Sequence, residues 1–100
     1  MDVKVTTKKD VPAGKMIGVE SSGQKILVAN LSGSYYAIGN ICTHRGCKLS
    51  DGTLDGENVQ CPCHGSVFNV KTGAVIQGPA TVAEKSFKTK VDGDGILVTI

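Results

Sequence analysis

Aromatic side chains are scarce in this 100-residue chain, which has no tryptophan, two tyrosines and two phenylalanines. Net charge is also small: the formal value at pH 7 is +2, and the lysines are scattered apart from Lys8 and Lys9. A charge this weak argues against a nucleic-acid partner or an anionic membrane surface. No apolar stretch approaches the roughly 20 residues of a membrane span, and residues 1–5 do not resemble the start of a signal peptide. We therefore expect a soluble, cytoplasmic protein with no membrane span.

The length of the chain predicts a single domain, residues 1–100. A domain of this size buries only part of the surface that its unfolded chain exposes. A bound metal or a disulfide is therefore a common additional source of stability in such small domains. We expect the protein to act as a monomer.

Helical periodicity is also missing, and the pattern is that of short strands. The run 25–31 contains Ile-Leu-Val-Ala and predicts a strand buried on both faces, which pairs with 35–38 as a hairpin. A second hairpin is predicted between 87–91 and 96–100, joined by a turn rich in aspartate and glycine. In all we expect about nine short strands and little or no helix.

This pattern predicts an all-β fold, in the form of a small antiparallel sandwich or partly open barrel. Residues 41–80 contain more turn-forming residues than the rest of the chain. We expect them to form a loop-rich subdomain inserted into a basal β domain made of residues 1–40 and 81–100.

All four cysteines and both histidines lie in two short loops. The first loop, 42–47, begins Cys42-Thr43-His44, and the second loop, 61–66, begins Cys61-Pro62-Cys63-His64. Each loop therefore offers a thiolate and an imidazole to a metal. One zinc ion could take all four ligands, although mixed loops suit a binuclear centre better, because each loop can give its cysteine to one metal and its histidine to the other. Two disulfides with incidental histidines, or a catalytic Cys-His pair, are further interpretations; the latter lacks an orienting third group.

The pattern Cys-x-His, sixteen intervening residues and Cys-x-x-His resembles the ligand signature of the Rieske family of 2Fe-2S proteins. The resemblance extends through Gly52–Gly56, Val59–Gly65, Thr72-Gly73 and Gly78-Pro79-Ala80, and the flanking strands are similar only in being β-like. It implies a Rieske-like fold with the inserted subdomain binding one 2Fe-2S cluster, one iron taking both thiolates and the other both imidazoles. The implied ligands are Cys42, His44, Cys61 and His64.

The other two cysteines match, by the same resemblance, the disulfide positions of Rieske subunits of quinol-oxidising cytochrome complexes. A Cys47–Cys63 bond would tie the two loops together beneath the cluster and stabilise the fold by ~3 kcal/mol through chain entropy. Disulfides are uncommon in the cytosol. A Cys47–Cys63 bond therefore implies that the protein works in an oxidising or hot environment, or that burial protects the bond.

The ligand set implied by the resemblance makes the oxidised site neutral, whereas four cysteines would leave it at −2. Adding an electron to the neutral site costs less free energy than adding one to a site of charge −2, which places the reduction potential at about −150 to +300 mV. In high-potential members of the family, a serine at the position of Ser66 donates a hydrogen bond to a bridging sulfide, and a tyrosine at the position of Phe68 donates to a cysteine sulfur. With Ser66 present and Phe68 in place of the tyrosine, we expect a reduction potential below those members but above members that lack both donors. By the same resemblance, the Gly78-Pro79-Ala80 stretch is expected to cover the cluster, and Pro79 is expected to tune it together with Ser66 and Phe68.

Two further expectations concern the histidines of the two loops and the basic residues beside the first loop. If one ring nitrogen of His44 and of His64 binds iron, the other titrates, and the potential falls as the pH rises. Arg45 and Lys48 lie beside the tip and suit an acidic protein partner, although solvated charges are the simpler interpretation.

The resemblance implies a Rieske-type ferredoxin, a one-electron carrier between a reductase and an acceptor such as an oxygenase, and not itself an enzyme. One alternative is a Rieske subunit or domain of a respiratory or other oxidoreductase complex, favoured by Cys47, Cys63 and Ser66. The other is a structural zinc-binding module without redox activity.

Overall fold

Short β-strands make up most of the described chain, which comprises residues 2–43, 46–63 and 65–100 of a computed structural model. Two single turns of 3₁₀ helix, Lys8–Asp10 and Leu49–Asp51, are the helical elements within these ranges. The predicted all-β class is confirmed. The strands are β1 (Asp2–Thr7), β2 (Met16–Ser21), β3 (Gln24–Leu31), β4 (Ser34–Gly39), β5 (Thr53–Asp55), β6 (Asn58–Gln60), β7 (Val67–Asn69), β8 (Val75–Gln77), β9 (Ser86–Phe87), β10 (Thr89–Asp92) and β11 (Gly95–Thr99).

The strands form three sheets in which the neighbouring strands are antiparallel. The first has the order β1-β11-β10, the second β2-β3-β4-β9, and the third β5-β6-β7-β8. The first sheet joins the start of the chain to its end, with Asp2 opposite Thr99. The third sheet lies entirely within residues 41–80. The division of the chain into a basal domain and an inserted subdomain remains a prediction.

Strand β3 separates two hydrophobic cores, which explains its unbroken apolar run. Successive side chains of a strand point to opposite faces, so Ile26 and Val28 belong to one core and Leu27 and Ala29 to the other. All four are fully buried, as the sequence predicts. The first core contains residues of the first two sheets. The second core contains residues of β3, β4 and the third sheet together with two cysteines, and its buried members are Leu27, Ala29, Ile38, Cys42, Leu49, Val59, Cys61, Phe68, Val70 and Ala80.

The predicted hairpin between β3 and β4 is confirmed, but the predicted strand 87–91 is wrong in one respect. Phe87 pairs with Ala37 of β4 in the second sheet, whereas residues 89–92 pair with β11 in the first. The chain crosses between the sheets at Lys88, whose carbonyl accepts a hydrogen bond from the Thr99 N–H at 2.9 Å. This division and the extra strand β5 raise the number of strands in the described ranges above the nine expected.

No helix within the described ranges is both long and apolar enough to cross a bilayer.

Candidate metal centre

The first loop is closed by two backbone hydrogen bonds around Cys42. The Cys42 N–H donates to the Cys47 carbonyl at 2.8 Å, and the Gly46 N–H donates to the Cys42 carbonyl at 2.9 Å. Gly46 has a φ of +75°, a left-handed conformation that favours glycine. The sequence therefore supplies the residue that this turn needs, four positions after the cysteine.

The second loop repeats the same pattern around Cys61. The Cys61 N–H donates to the Ser66 carbonyl at 2.7 Å, and the Gly65 N–H donates to the Cys61 carbonyl at 3.2 Å. Gly65, again four residues after the cysteine, has a φ of +79°. The two loops are therefore the same turn built twice, and each begins with a cysteine in an equivalent place.

Both of these cysteines are thiols buried in the second core. Cys42 and Cys61 are each 2% exposed. They pack in the same buried cluster as Phe68 and Leu49. Thiolates are the soft ligands that iron–sulfur clusters require, and a buried position limits the access of water to a metal bound there. The two thiols that the structure describes therefore fit the sulfur half of the donor set expected from the sequence.

The imidazole half of that set lies outside the described residues, because His44 and His64 are not among them, and neither is Arg45. Lys48, at the end of the first loop, is exposed and pairs with Ile41 through an isolated β-bridge. The assignment of the four ligands therefore remains a prediction.

A disulfide joins Cys47 of the first loop to Cys63 of the second, as the sequence predicts, with 6.4 Å between the two Cα atoms. The Sγ atoms of Cys47, Cys61 and Cys63 lie within 4.8 Å of one another. Because two of these sulfurs form the disulfide, the Cys61 thiol is the member of this group that can bind a metal. The alternative that burial protects this disulfide is wrong, because Cys47 is only half-buried and Cys63 is exposed.

The first loop is held from below by Asn40, which is buried. Its side-chain amide donates to Ser50 Oγ at 2.9 Å, and its Oδ1 accepts from the Ser50 N–H at 2.8 Å. Its carbonyl accepts from the Leu49 N–H at 2.7 Å. Asn40 therefore joins the start of residues 41–50 to their end, through its side chain and its backbone carbonyl. Sequence reasoning missed this role, since an asparagine after a strand is also common in ordinary turns.

Two cluster-tuning residues expected from the sequence, Ser66 and Phe68, are fully buried. Ser66 Oγ accepts a hydrogen bond from the Ala80 N–H at 3.0 Å, and its own hydroxyl proton is not used in that bond. The contact fixes the stretch that contains Pro79 against the second loop, although Pro79 itself is exposed. Phe68 lies opposite Val59 in the third sheet and packs in the same cluster as Cys42 and Cys61. The tuning roles of these residues remain predictions.

A buried carboxyl group beside the first loop is a second feature that the sequence did not reveal. Glu84 is 8% exposed, and its Oε2 accepts a hydrogen bond from the Thr43 N–H at 3.1 Å. Burial raises the pKa of Glu84 to about 7, and the Thr43 hydrogen bond acts in the opposite direction. A lone acidic residue in a polar segment carries no sequence signal of burial, so only the fold reveals it.

Comparison with known proteins identifies the same family as the ligand pattern in the sequence. A family model described as the Rieske 2Fe-2S domain matches residues 1–88. The ferredoxin component of the naphthalene 1,2-dioxygenase system of Pseudomonas aeruginosa is 32% identical over 91 residues, covering 91% of this chain and 88% of that protein. The ferredoxin component of biphenyl 2,3-dioxygenase of Rhodococcus jostii (strain RHA1) is 34% identical over 97 residues, covering 97% and 91%.

A solved structure extends this similarity to the fold. The ferredoxin of carbazole 1,9a-dioxygenase from Nocardioides aromaticivorans IC177 superposes with a TM-score of 0.92 at 31% identity. The superposition covers 97% of this chain and 95% of that one.

Proposed function

This chain belongs to the Rieske 2Fe-2S domain family, and on that premise we propose that it is the ferredoxin of an oxygenase system, carrying single electrons from a reductase to a terminal oxygenase. Three relatives of similar length are ferredoxins or ferredoxin components of dioxygenases that act on naphthalene, biphenyl or carbazole. The observation that carries the proposal is the pair of buried thiols, Cys42 and Cys61, at equivalent places in two loops joined by a disulfide.

The proposed ligands of the cluster come one pair from each loop. Cys42 and Cys61 would bind one iron as thiolates, and the histidine of each loop, His44 or His64, would bind the other iron. When bound, such a cluster accepts and releases one electron at a potential raised by its two neutral imidazole ligands. Support for the sulfur half comes from the burial of both thiols. The histidine half is supported by the ligand spacing in the sequence.

The protein residues around the thiols have four tasks in this proposal. The closed turns of the two loops hold the cysteines in place, and the second core keeps water from them. Ser66 is available to donate a hydrogen bond toward the cluster, because its contact with Ala80 uses only its oxygen as acceptor. Hydrogen bonds and exclusion of water are the levers by which a protein tunes a metal centre. The stretch with Pro79 would cover one side.

The proposed acceptor is a protein with an acidic docking surface. Lys48 is exposed beside the first loop, and Arg45 precedes it by three residues in the sequence. Opposite charges accelerate the encounter of two proteins and make the rate depend on ionic strength. A rate of electron transfer to the oxygenase that does not fall as salt is added would argue against this choice of partner surface.

A second candidate, a subunit of a larger oxidoreductase complex, is favoured by the Cys47–Cys63 disulfide. The two candidates differ in how the protein occurs in its host. Affinity purification of the tagged chain at native abundance is expected to recover it alone or in substoichiometric amounts with a reductase and an oxygenase. A stable stoichiometric complex with a large subunit would favour the second candidate. Cell fractionation and size-exclusion chromatography would test the cytoplasmic location and the monomeric state, both of which remain predictions.

The function itself is tested by single-turnover electron transfer. The reduced protein is mixed with an oxidised terminal oxygenase, and the reoxidation of its visible spectrum is followed over time. The proposal predicts that one electron leaves each chain and that product forms only when the chain is present. A reduced protein that does not transfer its electron to an oxygenase from the same host would contradict the proposal.

A further inference from the structure

The segment 82–84 is hydrogen-bonded to the first loop through Thr43, the residue between Cys42 and His44. The Thr43 hydroxyl donates to the Val82 carbonyl at 2.6 Å, and the Thr43 N–H donates to the Glu84 carboxylate at 3.1 Å. The backbone N–H and the hydroxyl of this one residue are therefore both satisfied by a segment about 40 residues away in sequence. The fastening lies within one peptide bond of each of the two proposed ligands of the loop.

Glu84 is itself held in place by close backbone packing. Its N–H donates to the Gly73 carbonyl at 2.8 Å. A Cβ atom at Gly73 would collide with the Glu84 carbonyl oxygen, and one at Gly39 would come within 2.6 Å of Oε1. Gly73 thus leaves room for the backbone of Glu84, and Gly39 leaves room for its carboxyl group. That carboxyl group faces the first loop, where it accepts the Thr43 hydrogen bond.

The lysines close in sequence to Glu84 and to Gly73 each contact another group. Lys85, its neighbour in sequence, places Nζ 5.0 Å from the centre of the Phe87 ring. Lys71, two residues before Gly73, pairs with Glu57 at 3.3 Å. On the first loop, the Cys42 thiol precedes Thr43, and His44 and Arg45 follow it, outside the described residues.

We propose that Glu84 is a positioning residue of the metal centre, whose carboxylate fixes the first loop through the Thr43 N–H and whose negative charge lowers the reduction potential. The inference rests on the proposed function, since it assumes that Cys42 and His44 bind the cluster. Adding an electron to the centre makes the site more negative and therefore makes it harder for Glu84 to stay ionised. Between the pKa values of Glu84 in the two redox states, reduction therefore draws a proton from solvent onto Glu84, the electron coming from the reductase or an electrode.

The sign of the pH dependence follows from this coupling. When Glu84 is protonated in both redox states, it contributes no charge. When it is ionised in both, its charge opposes the incoming electron. The potential therefore falls as the pH rises through the titration of Glu84. Burial raises its pKa to about 7, which places this fall close to neutrality.

The test is voltammetry of the intact holoprotein between about pH 5 and pH 9 for the wild type and Glu84→Gln. The amide oxygen of glutamine can still accept the Thr43 N–H, so the variant removes the charge and keeps the fastening. Its potential is expected to equal that of the wild type at the acidic end and to lie above it at the alkaline end. Glu20→Gln, which removes an exposed charge from β2, is the matched control and is expected to follow the wild type throughout.

Each other outcome has a definite meaning. Equal potentials for the wild type and Glu84→Gln at all pH values would overturn the inference, as would a constant offset that does not depend on pH. If the variant does not assemble a cluster, the wild type still decides: a potential without a fall near neutrality would overturn the inference. A wild-type protein with no cluster would overturn the proposed function itself. A fall in potential that persists in the variant at higher pH belongs to other groups, foremost His44 and His64.

Discussion

The Ser66 hydroxyl accepts a hydrogen bond from the backbone N–H of Ala80, with 3.0 Å between Oγ and N. Both residues are buried, and the contact joins the second loop to the Gly78-Pro79-Ala80 stretch. A side chain expected from the sequence only to tune a cluster thus also has a structural task.

Ser66→Ala tests both roles at once. The substitution leaves the buried Ala80 N–H without its acceptor, so we expect the free energy of unfolding to fall by about 1–3 kcal/mol. We also expect the reduction potential to fall, because a donor to the cluster is lost. Chemical denaturation and voltammetry measure the two effects. Ser34→Ala, at an exposed position, is the control and should change neither quantity. A lower stability with an unchanged potential would limit Ser66 to the structural role.

Phe68→Tyr is expected to raise the reduction potential. Phe68 packs in the same buried cluster as Cys42 and Cys61, and a hydroxyl on its ring would donate toward a cysteine sulfur, stabilising the reduced state. Voltammetry compares it with Phe87→Tyr, which adds the same hydroxyl to a half-buried ring in β9 and should have no effect. An unchanged or lower potential in Phe68→Tyr would show that this position does not tune the centre.

Reduction of the Cys47–Cys63 disulfide is expected to occur without unfolding, because Cys63 is exposed. The loop closed by the bond has a sequence separation of 16, and its release should lower the free energy of unfolding by ~3 kcal/mol. Denaturation with and without dithiothreitol measures the loss. The Cys47→Ala/Cys63→Ala double variant should show the same lower stability and no response to the reductant. A wild type that resists reduction until it unfolds would contradict the exposed position of the bond.

Gly52→Ala should destabilise the protein, because a Cβ atom there would collide with the Gln60 carbonyl of β6, directly before Cys61. Overpacking of this kind typically costs about 1–3 kcal/mol. Gly78→Ala is a fair comparison, since its added Cβ would meet the Ala80 carbonyl oxygen at an ordinary 3.7 Å. Thermal unfolding of both variants is the measurement. If Gly52→Ala is as stable as Gly78→Ala, the backbone at residue 52 and strand β6 can move apart at little cost in free energy.

Several features of the fold could be predicted because each depends on local sequence. The apolar run Ile26–Ala29 is long enough for a strand with two buried faces, and the loops carry a ligand spacing that few families share. The family, the all-β class, the disulfide and the ferredoxin type of electron carrier are accordingly confirmed.

The features that could not be predicted depend on contacts between distant segments. The division of 87–91 between two sheets is set by the pairing of Phe87 with Ala37, which is far away in sequence. The burial of Glu84 depends on Gly39, Thr43 and Gly73, which come together only in the folded chain. Neither hydropathy nor turn propensity of a segment contains this information.

The most direct test of the central claim is electron paramagnetic resonance of the dithionite-reduced protein, combined with analysis of its metal and sulfide content. We predict a coloured protein with two irons and two sulfides per chain, whose reduced signal shows hyperfine coupling to the nitrogens of two imidazoles. A colourless protein that holds one zinc ion, or a reduced cluster without nitrogen coupling, would contradict the account.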